Sequence, residues 1–244
     1  MVLLGTLVNG LCIIFGTLIG KILHRIPEKI KTTVMHGISL AVMLLGIQMG
    51  FKSEQFLIVI ISLVLGGTIG ELLRLETKLN NVGQWLERRV GRKDEGSIAK
   101  GFVTATLIFV IGAMSIIGSL DSGLRGDHQV LYTKSIIDGF TSLILTTTLG
   151  IGVIFSAIPV MLYQGSIALF ATQIEKWIPS QLMESFITEM TSTGGLMIFA
   201  IGLNLMGITT IRVANLLPGI VVTGILVTFV YYWNDLVLIG QAFM

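Results

Sequence analysis

The chain has 244 residues, of which 53% are hydrophobic and 12% charged, and its formal net charge is +2. A water-soluble domain carries about 25% charged residues. With a mean hydropathy of +0.88, this balance excludes an ordinary soluble domain and leaves no basic excess for holding nucleic acid.

A spanning helix needs about 20 mainly apolar residues. In chain order, apolar runs cover residues 2–23, 34–51, 55–73, 101–118, 136–150, 151–173, 194–211 and 213–233. None alternates polar and apolar residues as a barrel strand would. In lipid the backbone must therefore satisfy itself as helix. The predicted fold is all-α, a polytopic bundle of about eight membrane spans. The first run has neither a basic leading region nor a small-x-small cleavage site, so it reads as a span and not as a cleaved signal. Residues 135–174 hold one charge, Asp138, and are too long for one crossing. A turn near 150–152 or near 156–159 divides them, and either choice leaves one helix short. Cys12 is the only cysteine, which excludes a disulfide within the chain.

Three stretches are not simple spans. Between the third and fourth runs, Leu72, Leu75, Leu79, Val82, Trp85, Leu86 and Val90 recur at helical spacing, with Arg88, Arg89, Arg92 and Lys93 at the end. This pattern predicts an amphipathic helix lying on the membrane surface. Residues 119–134, rich in Gly and Asp, read as a loop. Residues 175–189, with Trp177, Ile178, Leu182 and Phe186 at helical spacing, read as a segment along the opposite surface. With both termini outside, twelve of the Lys and Arg residues fall on the inner side and four (Lys52, Arg125, Lys134 and Lys176) on the outer side, as the positive-inside rule requires.

Two parts of the chain carry matching landmarks. Phe15-Gly16-Thr17 aligns with Gln164-Gly165-Ser166, Ile26-Pro27 with Ile178-Pro179, and Leu45 to Met49 with Ile201 to Leu205. Five spans separate the first span of one set from the first of the other, so the sets are inverted. The organisation read from this is a first repeat unit (1–73), an inner interfacial helix (74–100), a central Gly/Ser/Asp-rich pair of spans (101–150) and a second repeat unit (151–233). Inverted repeats place a solute site near the membrane centre, between the two units.

The sequence shows no metalloprotease His pair, nucleophile elbow or phosphate-binding loop, and no enzyme, cofactor or metal site is expected. Polar density peaks at 132–152. Lys134 and Asp138 are i,i+4 on one helix face, and Ser135 and Ser142 extend it. Against lipid such a face is costly, about 2.5–3.5 kcal/mol for a central Asp. Two readings stay open: a solute or ion path, or an interfacial Lys–Asp pair with Ser and Thr bonded to their own helix carbonyls. Residues 112–123, which include Ser119 and Asp121, hold three Gly and three Ser. They read either as broken half-helices or as an ordinary helix end, so spans four and five are candidates for discontinuity. Gln48 and Asn204 are equivalent amides in the two units, suited to facing each other across the pseudo-axis or to ordinary interhelical bonds. Asn9, Gln164 and Thr17 fall under the same two readings. Gly16/Gly20, Gly46/Gly50 and Gly66/Gly70 are Gly-x-x-x-Gly pairs that pack either within the bundle or across a homodimer.

Gly118-Ser119-Leu120, Gly126-Asp127, Lys134-Ser135, Asp138-Gly139, Gly150-Ile151-Gly152-Val153, Phe155 to Pro159, Tyr163-Gln164-Gly165 and Ile14-Phe15-Gly16, together with the eight-span layout, resemble the bacterial YdfK/YqgA-like membrane proteins, the domain of unknown function 554. The resemblance covers nearly the whole chain and implies a bacterial cytoplasmic-membrane protein. It implies no substrate. The residues themselves favour a transporter or facilitator of a small solute or ion, its path carried by Asp138, Lys134, Ser135, Ser142, Ser119, Asp121, Gln48 and Asn204. The alternatives are a homo-oligomeric channel and a non-transporting scaffold or sensor partner.

Overall fold

The computed structural model describes residues 1–22, 28–90 and 97–242. Among the described residues all regular structure is helical: α1 (Leu4–Ile22), α2 (Glu28–Gly50), α3 (Phe56–Leu73), α4 (Leu75–Val90), α5 (Ser97–Val110), α6 (Ala113–Leu124), α7 (Gln129–Leu149), α8 (Ala157–Trp177), α9 (Ser180–Met206) and α10 (Pro218–Ala242). Short 3-10 segments, Ile151–Ser156 and Val213–Leu216, precede α8 and α10. Six stretches are long and apolar enough to cross a membrane, and the bent pair α5–α6 makes a seventh. The 21 residues of α7 reach about 31 Å at 1.5 Å per residue, enough to cross. Its polar face keeps it below the same apolarity.

The central spans depart from the expectation. The fourth is broken: α5 and α6 meet at 63°. Gly112, at φ 145, takes a backbone conformation closed to residues with a Cβ. The fifth is not broken, since α7 runs without interruption. The break follows it, at Gly150 with φ 80, and α8 also has 21 residues, so neither helix is short. The predicted loop at 119–134 is mostly helix, because the hydroxyls of Ser119 and Ser122 find carbonyl acceptors and are buried. Residues 175–189 are not a separate surface segment either. They finish α8 and begin the 27-residue α9, where Leu182 packs into a small core with Ile58 and Val227. The Ile26-Pro27 landmark, Arg92 and Lys93 lie outside the described residues.

Small residues decide which helices touch. On α1, Gly5, Thr6, Asn9, Gly10, Ile13, Gly16, Thr17 and Gly20 form the buried face, while Leu7, Leu11 and Phe15 point outward. This pattern is inside-out relative to a soluble helix. A lipid-facing side chain gains nothing by burial, so close packing is the main reward for helix contact. A Cβ on Gly16 or Gly20 would run into the carbonyls of Gly139 and Leu143 on α7; one on Gly46 into the backbone of Gly195 and Phe199 on α9; one on Gly66 or Gly70 into Gly219 and Asn215. The three Gly-x-x-x-Gly pairs thus have close approaches inside the chain. The principal packings are α1 on α7, α2 on α9, α3 on α10 and α6 on α8. Phe102, Leu107 and Phe109 of α5 lie in the central core.

The amphipathic helix is α4. Leu79 and Leu86 pack toward the core, and Gly83 abuts Ala99. Val82 and Trp85 stay exposed, with the Arg89 guanidinium 5.5 Å from the Trp85 ring centre.

Gly16→Val is expected to destabilise the fold by about 1–3 kcal/mol or more, as overpacking does, and to lower the thermal midpoint in detergent. Gly37→Ala, where a Cβ meets nothing within 4 Å, is expected to raise it slightly through helix propensity.

Candidate functional site

The site grows from α7. Leu131, Lys134, Ser135, Asp138, Ser142, Leu145, Thr146 and Leu149 are buried, while Ile136, Ile137 and Phe140 face outward at 50–65% exposure. The polar face is therefore turned into the bundle. Lys134 and Asp138 are 7% and 4% exposed. The Lys134 Nζ donates to both carboxylate oxygens, at 2.9 and 2.7 Å. The pair is thus closed off inside the bundle.

Glycine brings α1 to the pair. The Cys12 carbonyl and side chain lie 3.2–3.3 Å from where a Cβ on Gly139 would stand, so α1 passes close beside Asp138. Asn9 Nδ2 then donates to Asp138 Oδ2 at 3.0 Å and to Gln164 Oε1 of α8 at 3.2 Å. This fixes the amide, since turning it over would set its oxygen against a carboxylate. Lys134, Asp138, Asn9 and Gln164 form one polar chain across α7, α1 and α8, and both amides are 0% exposed. Three atoms of the group have no hydrogen-bond partner: Asn9 Oδ1, Gln164 Nε2 and the Thr6 hydroxyl one turn along α1.

The remaining polar residues of α7 look after themselves. Ser135 donates to the Leu131 carbonyl at 2.6 Å, Ser142 to Asp138 at 2.7 Å and Thr146 to Ser142 at 2.6 Å, the self-satisfied reading for this face. Ser119 does the same on α6. Asp121 pairs with Arg125 at 3.4 Å near the end of α6. The structure does not bring Gln48 and Asn204 together. Gln48 lies on the exposed face of α2. Asn204 clasps the loop after α9, giving a hydrogen bond to the Ile211 carbonyl and accepting from Thr209 and from Ile211 N. Among the described residues no three His, Cys, Asp or Glu side chains converge as metal ligands.

Two contacts escaped the sequence reading. Glu189, 2% exposed on α9, accepts from Ser53 Oγ at 2.5 Å and from the backbone N–H groups of Glu54 and Gln55 at 2.9 Å. It satisfies backbone donors at the start of α3, sharing Gln55 N with the Ser53 hydroxyl at 3.1 Å. The signal was a lone glutamate on an otherwise buried face, with its partner 134 residues away. At the other end of α3, Asn215 accepts from Glu76 N and donates to Glu71, while Glu76 accepts from Ala214 N. The α3–α4 corner is thereby tied to the segment before α10.

A helical bundle with lipid-facing apolar surfaces and a polar chain closed off at its interior defines a polytopic α-helical membrane protein. Residues 4–228 match the model of a protein family described as a protein of unknown function, DUF554, and the chain belongs to that family. It is 32% identical over 232 residues to the uncharacterized membrane protein YdfK of Bacillus subtilis (strain 168), covering 93% of this chain and 96% of the relative. It is 29% identical over 222 residues to the uncharacterized protein YqgA of Escherichia coli (strain K12), covering 89% and 93% respectively. No solved structure matches.

Lys134→Met is expected to cost about 3–5 kcal/mol, because it strands the Asp138 carboxylate away from water. Lys134→Met combined with Asp138→Leu is expected to recover at least half of that loss. Thermal and denaturant unfolding of the purified variants in detergent measures both.

Proposed function

We propose that this protein is a transporter or facilitator of a small solute or ion, with its site at the junction of α1, α7 and α8. The observation that carries the reading is the buried chain Lys134–Asp138–Asn9–Gln164. An ion pair taken out of water is a weak source of stability, and an apolar replacement often does as well. Ionisable groups inside membrane bundles are rare and commonly line solute or proton paths.

The inverted repeat belongs to the same reading. Taking 1–73 and 151–233 as units makes α1, α2 and α3 the counterparts of α8, α9 and α10. Each helix of the first unit packs against its own counterpart, as helices near a pseudo-two-fold axis do. The contact of α1 with α7 is echoed by that of α8 with α6. Asn9 and Gln164 then come from equivalent helices, and their hydrogen bond spans the axis. Two units rocking about it would expose the cluster to either side in turn. We place the protein in the bacterial cytoplasmic membrane with both termini outside and α4 on the inner leaflet, in keeping with its Lys and Arg distribution.

The test keeps charge balanced. Lys134→Gln with Asp138→Asn replaces the pair by two neutral hydrogen-bonding side chains. Solute flux into proteoliposomes is expected to fall to the background of empty vesicles, while the variant still elutes as a folded species. Undiminished flux would remove the pair from the mechanism. Saturation and counterflow separate a carrier from a channel of several copies. For the orientation, in a Cys12→Ala background, a cysteine at Val2 is expected to react with an impermeant maleimide on intact cells. A cysteine at Asn80 on α4 is expected to react only after permeabilisation.

A further inference from the structure

We propose that the unpartnered trio Thr6, Asn9 and Gln164 binds a small neutral solute bearing a hydrogen-bond donor and an acceptor on neighbouring atoms, an amide or alcohol of a few heavy atoms. The inference rests on the transport reading of the same cluster and gives it a substrate class.

Three observations converge on it. The first is the unmet hydrogen-bonding capacity. Asn9 Oδ1 is an acceptor, Gln164 Nε2 a donor, and the Thr6 hydroxyl can be either. None has a partner, and the three residues are 0–3% exposed. Buried polar atoms are costly until something pairs with them, so the trio is complementary to a molecule offering one group of each kind.

The second is space. Most glycines of α1 are there because a Cβ would collide: at Gly5 with Leu131, at Gly10 with Met161, at Gly16 with Gly139. Gly165, the neighbour of Gln164, differs. It is buried, yet a Cβ would lie 3.6 Å from Leu3 Cδ2 and 3.8 Å from Thr6 Cγ2, at ordinary contact distance. The α1–α8 seam is thus one methyl short of full packing beside Thr6.

The third is charge. Lys134 and Asp138 are bonded to each other, so the cluster is electrically neutral. An ion entering it would shed its hydration without meeting a free counter-charge. A bare cation would find the oxygens of Asn9 and Thr6 beside the positive end of the Gln164 amide. A neutral solute meets neither penalty.

The experiment measures iso-osmotic swelling of proteoliposomes holding the full chain in formamide, urea and ethylene glycol, and in the sodium, potassium, acetate and methylammonium ions. Wild-type protein is expected to admit the neutral solutes well above empty vesicles and to exclude the ions. Gly165→Ala fills the notch, suits a helix better than glycine, and is expected to abolish that flux without lowering the thermal midpoint. Thr6→Val keeps its shape and is expected to slow flux about fivefold, the worth of one net hydrogen bond. Ion flux alone, lost with Lys134→Gln/Asp138→Asn, would overturn the neutral class and leave transport standing. Water permeation without solute entry would make the trio a water site and overturn the proposal. Full neutral flux in Gly165→Ala would move the binding site elsewhere. No flux of any solute would overturn both readings.

Discussion

A lysine and an aspartate one turn apart on a membrane helix set the terms for the helices around them. In hydrocarbon neither charge can be left unpaired. The pair must turn inward, other polar groups must come within hydrogen-bond reach, and the backbones must approach closely enough to bring them there. Gly139, next to Asp138, and Gly16 on α1 remove the side chains that would hold the two helices apart. That approach lets Asn9 reach the carboxylate and, through the same amide, Gln164 on α8. The α1–α7 contact, the orientation of α7 and the position of α8 all follow from housing one ion pair.

The rest of the bundle applies the same rule to backbone groups. The Glu189 carboxylate on a distant helix accepts from the backbone donors at the start of α3, with Ser53 helping at Gln55 N. The end of α3 and the start of α4 are held by Asn215 and Glu76. The turn after α9 is held by Asn204. Glu189, Asn215 and Glu76 fix reversals of the chain from distant segments, whereas many Ser and Thr hydroxyls bond within their own helix. Thr6, Asn9 and Gln164 each keep a buried polar atom with no partner, as the hydroxyls of Thr17, Ser62, Thr106 and Thr191 also do; what sets the trio apart is that Asn9 and Gln164 are joined to the ion pair.

Much of this was legible in the residues. Apolar run length located α1 and α3 closely and marked α2, α8 and α10 with ends displaced by several residues, because lipid demands continuous apolar helix. The spacing of Leu75 to Val90 marked α4. The i,i+4 relation of Lys134 and Asp138 is a property of any helix, and their pairing could be read directly. The errors were equally physical. Residues 119–134 looked like a loop because Ser, Gly and Asp favour turns in water. Inside a bundle their small size instead permits close packing, and their hydroxyls bond to nearby carbonyls. Gln48 and Asn204 looked equivalent because a repeat predicts position along the chain. Which way a side chain points depends on a rotation of about 100° per residue, and a small drift in spacing turns one amide to the exposed surface and the other into a loop.

By itself the sequence determined that this is a helical membrane protein, where its spans run, and that one charged pair must be sheltered. These follow from local composition and from the helical period. Only the tertiary structure decided what shelters the pair. Asn9 is 129 residues from Asp138 and 155 from Gln164, and no local rule relates residues so far apart. Their meeting depends on which glycine faces interlock, and that is settled by the packing of whole helices.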